Sequence, residues 1–138
     1  MLTPIFGAEA APPERVSLAG PVPAVVERVI DGDTVRVRAR IWLGQELLTD
    51  VRLRGIDAPE LRGRCAAERD RAREAKAWLD ARITGRTVSL SDISGDKYGG
   101  RVVARLTTQE GDDVSAGLLA HGLAQPYGGR RRGKWCDD

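Results

Sequence analysis

Three short segments of the chain combine carboxylates with glycine, proline or arginine at close spacing. The first is Asp31-Gly32-Asp33-Thr34, the second runs from Arg52 through Glu60, and the third is Asp96-Lys97-Tyr98-Gly99-Gly100-Arg101. Each segment alone also fits a polar turn between strands, because Asp-Gly and Gly-Gly pairs are common in hairpin loops. Any joint chemistry therefore depends on whether the fold brings the three segments together.

The second segment holds two carboxylates whose backbone motion is restricted. Asp57 and Glu60 are separated by Pro59, whose ring fixes the intervening main chain. Such a pair suits a metal ligand and a general base, although Glu60 also lies just before a predicted helix, where an acidic side chain is favourable. Asp33, from another strand, would complete an all-oxygen site. Oxygen ligands favour calcium or magnesium over zinc or copper.

The hydrophobic pattern predicts the elements that position these segments. Strands are predicted at residues 22–30, 34–41, 47–56, 88–93 and 101–106, and helices at residues 66–83 and 114–121. In the second of these strands apolar residues alternate with arginines, which is typical of a half-buried strand with a basic outer face. The order predicts a mainly β, α+β fold. Its core is a five-stranded barrel of the oligonucleotide-binding type, with a helix after strand 3 and a short helix after strand 5.

Length and composition favour a single domain. The 138 residues divide into a flexible leader at 1–21, a barrel domain at 22–127 and a Gly- and Arg-rich tail at 128–138. Lysine and arginine number 22 against 20 acidic residues, and nearly all the cations are arginines, which bind phosphate through two parallel hydrogen bonds. No apolar run approaches the roughly 18 residues of a transmembrane helix, so no membrane partner is predicted.

Taken together, the three segments resemble, in order and rough spacing, the active-site segments of the thermonuclease (staphylococcal-nuclease-like) family. The resemblance covers about residues 22–127. It implies a five-stranded barrel that hydrolyses phosphodiesters of DNA and RNA with calcium, with magnesium as the alternative. The implied roles are Asp33, Asp57 and the Ala58 carbonyl as metal ligands, Glu60 as the base that activates water, Arg52 and Arg101 as phosphate ligands, and Lys97 and Tyr98 as nucleotide contacts.

The third segment departs from the family pattern at one position. The family has arginine directly after Lys-Tyr-Gly, whereas this chain has Gly100 there and Arg101 one residue later. A one-residue bulge at Gly99-Gly100 would restore the direction of Arg101, and glycine makes bulges inexpensive. Without a bulge, strand alternation would turn Arg101 to the opposite face.

A second hypothesis is a non-catalytic barrel of the same superfamily that binds nucleic acid or a protein. Such binders use aromatic side chains on which bases stack. Aromatic residues make up only 4% of this chain, and only Tyr98 and Tyr127 are suitably placed. The presence of all three acids together with Arg52 favours the nuclease. We expect a monomer whose partner is DNA or RNA.

The two cysteines, Cys65 and Cys136, are predicted to form a disulfide. With a single histidine they are too few for a structural zinc site, which takes four such ligands. The bridge would hold the tail where the family has a further helix, and closing so long a loop would stabilise the fold by about 4 kcal/mol. Two free thiols in a cytosolic protein are the alternative. Because disulfides persist in oxidising compartments, the prediction favours a periplasmic or secreted protein.

Overall fold

A computed structural model describes residues 16–97, 99–127 and 135–136 of the chain. In chain order its elements are β1 (Ser17–Leu18), β2 (Val22–Asp31), β3 (Thr34–Trp42), β4 (Gln45–Leu53), β5 (Ile56–Asp57), α1 (Ala66–Ile83), β6 (Thr87–Gly95), β7 (Arg101–Thr108), α2 (Val114–Ala120) and β8 (Gln125–Pro126). Neither described helix has the length and apolar character that crossing a membrane requires.

The five long strands close into a barrel. They are hydrogen-bonded in the order β6-β2-β3-β4-β7, and pairing of β6 with β7 completes the ring. The strands β2, β3 and β4 form an antiparallel meander, whereas β4 and β7 run parallel. Helix α1 follows the meander and α2 follows the fifth long strand. The predicted mainly β, five-stranded barrel with its two helices is therefore confirmed.

The barrel interior is filled by the apolar face of each strand. On β3, Val35 and Val37 are fully buried while Arg38 and Arg40 lie on the outside, as strand alternation requires. Helix α1 adds a narrow buried stripe at helical spacing, made of Ala72, Ala75, Leu79 and Ile83. The small alanines allow this helix to lie close to the barrel. The helix therefore lies near the first two segments that the sequence singled out, at residues 31–34 and 52–60.

The observed elements differ from the sequence prediction at two places. Residues 17–18 of the predicted leader form β1, which pairs with β6, while residues 1–15 lie outside the described residues. The predicted third strand was too long, because β4 ends at Leu53 and the chain turns at Gly55, where φ is +83°. The following residues form β5, which pairs with β8 instead of continuing the barrel.

A disulfide joins the start of α1 to the tail. The Cα atoms of Cys65 and Cys136 are 6.1 Å apart and their sulfur atoms are bonded, as the sequence predicted. Cys65 is also the N-cap of α1, where its sulfur accepts a hydrogen bond from the main-chain N–H of Glu68. Of the predicted tail at 128–138, only residues 135–136 are described.

Gly32, in the turn between β2 and β3, packs directly against α1. A Cβ atom at this position would lie 2.8 Å from Ala75 Cβ and 3.0 Å from Ala58 Cβ, too close for normal packing. The absence of a side chain at Gly32 therefore sets the distance between this turn and the helix.

We expect Gly32→Ala to lower the free energy of unfolding by about 1–3 kcal/mol, because the added methyl group overpacks this contact. Urea unfolding measures the change. Gly99→Ala is the control, since a Cβ at Gly99 would meet no atom within 4 Å. Equal stability of the two variants would contradict the packing role of Gly32.

Candidate active site

A cleft of about 680 Å³ opens at one end of the barrel, where the three segments meet. Its walls come from the β2–β3 turn, the end of β4, β5 with the loop that follows, and the loop before β7. Most residues singled out from the sequence line it: Asp33, Arg52, Asp57, Ala58, Glu60, Lys97, Arg101 and Tyr127. Tyr98 lies outside the described residues.

Asp33 joins three parts of the site. Its carboxylate is almost buried, at 8% exposed, and accepts hydrogen bonds from the Thr34 hydroxyl (3.0 Å) and from the main-chain N–H of Ala58 (3.1 Å). Its own carbonyl accepts the N–H of Leu53 at 2.8 Å. The turn before β3, the end of β4 and the segment after β5 are therefore tied to a single residue.

The guanidinium of Arg52 lies between the two buried aspartates. Its Nη1 is 3.4 Å from Asp33 Oδ2 and its Nη2 is 3.8 Å from Asp57 Oδ1, while Asp57 is only 3% exposed. Arg52 also donates to the Ile56 carbonyl at 3.1 Å, and its Cζ lies 5.3 Å from the centre of the Tyr127 ring. These contacts fix the plane of a guanidinium that faces the cleft.

Glu60 lies at the rim of the cleft on a tightly held loop. The residue is exposed to solvent, whereas the preceding Pro59 is fully buried. The Glu60 carbonyl accepts the N–H of Gly63 at 2.9 Å, so the loop turns back on itself directly after the acid. This hydrogen bond fixes the main chain of Glu60, and Glu60 itself remains accessible to water.

Arg101 opens β7 and lines the same cleft as Arg52, with its side chain 24% exposed and ion-paired to Asp96. Directly before β7, Gly100 has φ +81°, a backbone conformation that glycine adopts readily. The irregularity in the β6–β7 pairing lies between Ser91 and Ser94. The turn also contains Tyr98, which lies outside the described residues, so the bulge at Gly99-Gly100 stays a prediction, whereas Arg101 does line the cleft.

The charge of the cleft suits a hard divalent cation. Among the described residues that line it, five are acidic and four are basic. Burial raises the pKa of Asp31, and the nearby carboxylates of Asp33 and Glu60 raise it further, while Lys76 opposes them. A cation bound beside these acids would relieve their repulsion, and the oxygen donors match calcium or magnesium.

The donor geometry limits which groups could hold such a cation. Within the described residues, no three His, Cys, Asp or Glu side chains are arranged to bind a metal ion. The side chains of Asp33 and Asp57 would therefore need main-chain carbonyl and water oxygens to complete the coordination, which calcium and magnesium both accept. With those additional oxygens, Asp33 and Asp57 are suitable ligands for a calcium or magnesium ion.

Two acidic residues that line the cleft received no role from the sequence. Asp31 lines the cleft and Asp96 holds Arg101, yet both looked like ordinary turn residues. For Asp31 the available signal was its place two residues before Asp33, at the end of a strand. The partner of Asp96 depends on the register of the β6–β7 hairpin, in which its N–H donates to the Arg101 carbonyl at 3.1 Å.

Comparison with known proteins agrees with the observed fold. Residues 50–134 match the family described as staphylococcal nuclease homologue, a range that includes the second and third segments. This chain belongs to that family.

Several curated relatives carry endonuclease names. Endonuclease Htp3 of Saprolegnia parasitica is 32% identical over 114 residues, covering 74% of this chain and 54% of that protein. A probable endonuclease LCL3 of Debaryomyces hansenii is 32% identical over 146 residues, covering 91% of this chain and 62% of that protein. Endonuclease YhcR of Bacillus subtilis is 29% identical, covering 85% of this chain but 10% of its own length. The chain thus spans about half the length of Htp3 and a small part of YhcR.

We expect Asp31→Asn to stabilise the protein at neutral pH in the presence of a chelator. The folded state raises the pKa of Asp31, so ionising this carboxyl costs stability once the pH exceeds its unfolded value of 3.8. The gain should shrink as the pH falls below that value, because the carboxyl is then protonated in both states. Urea unfolding at several pH values measures it, and a gain independent of pH would contradict the electrostatic cause.

Proposed function

We propose that this chain is a metal-dependent nuclease that hydrolyses phosphodiester bonds of DNA, RNA or both. The observation that carries the proposal is the convergence of Asp33, Asp57 and Glu60 with two arginines on one cleft. Membership of the staphylococcal nuclease homologue family and the endonuclease names of the relatives support the same reaction class.

Asp33, Asp57 and the Ala58 carbonyl would hold the cation, with calcium favoured and magnesium as the alternative. When bound, a divalent cation neutralises phosphate charge and stabilises the negative charge that grows in the pentavalent transition state. Because acidic side chains slightly outnumber basic ones in the cleft, the arginines alone would not offset the negative charge of a bound phosphate.

The protein side chains supply the rest of the mechanism. Glu60, exposed at the rim, accepts a proton from the attacking water, which is the role of a general base. Arg52 and Arg101 donate hydrogen bonds to phosphate oxygens, and the network around Arg52 keeps its donors oriented before substrate arrives. Because the Arg52 guanidinium is oriented before substrate binds, it needs little reorganisation as negative charge develops on the phosphate in the transition state.

The wall of the cleft gives the substrate further contacts. Lys97 and Tyr127 line it, and with Tyr98 they would lie along the nucleotide, the lysine near phosphate and the tyrosines against bases or sugars. The ring of Tyr127 lies close to Arg52, so nucleotide and phosphate contacts would adjoin one another. The same contacts would serve a non-catalytic barrel, which only an activity assay separates from an enzyme.

The decisive experiment is cleavage of plasmid DNA and of a structured RNA with calcium, with magnesium or with a chelator. We expect cleavage with at least one divalent cation and none with chelator. Unchanged cleavage in chelator would refute metal dependence. Binding of either nucleic acid without cleavage under any condition would favour the non-catalytic barrel.

We expect Glu60→Gln to fold normally but to lose about 10²–10⁴-fold in rate, the usual loss when a general base is removed. Initial rates on a short oligonucleotide measure the effect. Glu74→Gln is the matched control, because Glu74 is exposed on α1 and does not line the cleft. Turnover of Glu60→Gln at the wild-type rate would remove Glu60 from the mechanism.

A further inference from the structure

Glu68, in the first turn of α1, is a buried carboxylate bonded to the loop that carries Glu60. It is only 4% exposed. Its Oε2 accepts the main-chain N–H of Glu60 at 3.0 Å, and its Oε1 accepts the main-chain N–H of Arg64 at 3.3 Å. A single side chain therefore binds both ends of the five-residue loop from Glu60 to Arg64.

The surroundings of Glu68 leave its carboxylate little freedom. Its main-chain N–H is capped by the sulfur of Cys65, and the disulfide-bonded sulfur of Cys136 lies 3.8 Å from its Oε1. On the other side, a Cβ atom at Gly63 would lie 2.5–2.7 Å from the Glu68 side chain. The loop thus folds so closely over the carboxylate that a Cβ atom at Gly63 would displace the Glu68 side chain.

Burying a carboxylate is costly unless hydrogen bonds replace its water. The N-terminal end of a helix and two main-chain donors provide that replacement here. A glutamate that only capped α1 would bond within its own turn, as in a capping box. Glu68 instead reaches back eight residues to Glu60, across the loop and beyond the helix it begins.

We propose that Glu68 is a positioning residue that holds the main chain of Glu60 where its carboxylate reaches the attacking water. This inference rests on the proposed function, in which Glu60 is the base. Glu68 does not line the cleft, so it acts on the reaction only through the loop.

A double-mutant cycle tests the inference with Glu60→Gln, Glu68→Gln and the double variant. Glu68 accepts the two N–H groups at separate oxygens, and glutamine keeps its size but places a donor NH₂ group opposite one of them. We expect Glu68→Gln to lower kcat by about 10–100-fold, as small misplacements of reacting groups do, with KM little changed. Thermal unfolding confirms that each variant is folded at the assay temperature, and Glu74→Gln serves as the control.

The double variant gives the sharper result. If Glu68 acts through Glu60, adding Glu68→Gln to Glu60→Gln should cost no further activity, because the group being positioned is already lost. An equal loss in both backgrounds would show a general structural effect and overturn the inference. Normal kcat for folded Glu68→Gln, with Glu60→Gln inactive, would overturn it too. Full activity of Glu60→Gln would overturn the assigned base and this inference together.

If Glu68→Gln does not fold, Gly63→Ala replaces it in the same cycle. The added methyl group displaces the Glu68 carboxylate without removing it, and Gly63 does not have a positive φ that would itself disfavour alanine. Loss of kcat that vanishes in the Glu60→Gln background supports the inference, and an equal loss in both backgrounds refutes it.

Discussion

The arrangement of the cleft depends on one nearly buried carboxylate. Asp33 accepts hydrogen bonds from Thr34 and Ala58 and lies beside Arg52, so it connects the β2–β3 turn with the end of β4 and with the segment after β5. Strand pairing already places Thr34 opposite Arg52, and the carboxylate of Asp33 adds a hydrogen bond to Ala58. A buried charge is tolerated only with such partners, and the same partners hold together the proposed metal ligands and the arginine that we propose to bind phosphate.

The two arginines of the cleft are held in different ways. Arg52 lies between two aspartates, a main-chain carbonyl and an aromatic ring, and all four contacts restrict its guanidinium. Arg101 is paired with Asp96 at the base of a glycine-containing turn. Both arginines are therefore partly neutralised in the protein alone. A phosphate must compete with these carboxylates, and a divalent cation beside the aspartates would shift that competition towards phosphate.

The sequence predicted the barrel because its signals are local. The alternating valines indicate strand β3, the alanine stripe indicates helix α1, and the Asp-Gly pair indicates a turn. The order of these elements along the chain is then compatible with few topologies. It did not predict β1, β5 or β8, which are two-residue strands defined by their partners. In the site, the three acids and Arg52 were identified by spacing and resemblance. The contacts of Asp31, Asp96 and Glu68 depend on burial and hairpin register, which a sequence pattern does not contain.

The parallel pairing of β4 with β7 determines how late in folding the cleft can form. Every other pairing among the five long strands is antiparallel, but this one joins segments on either side of α1 and β6. Bringing such distant segments together has a high entropic cost, and contacts of this kind tend to limit folding rates. Until β7 docks, the chain can have the turn around Asp33 but cannot have Arg101 in the same cleft as Arg52. On the proposed function, the topology itself delays nuclease activity until the barrel is complete.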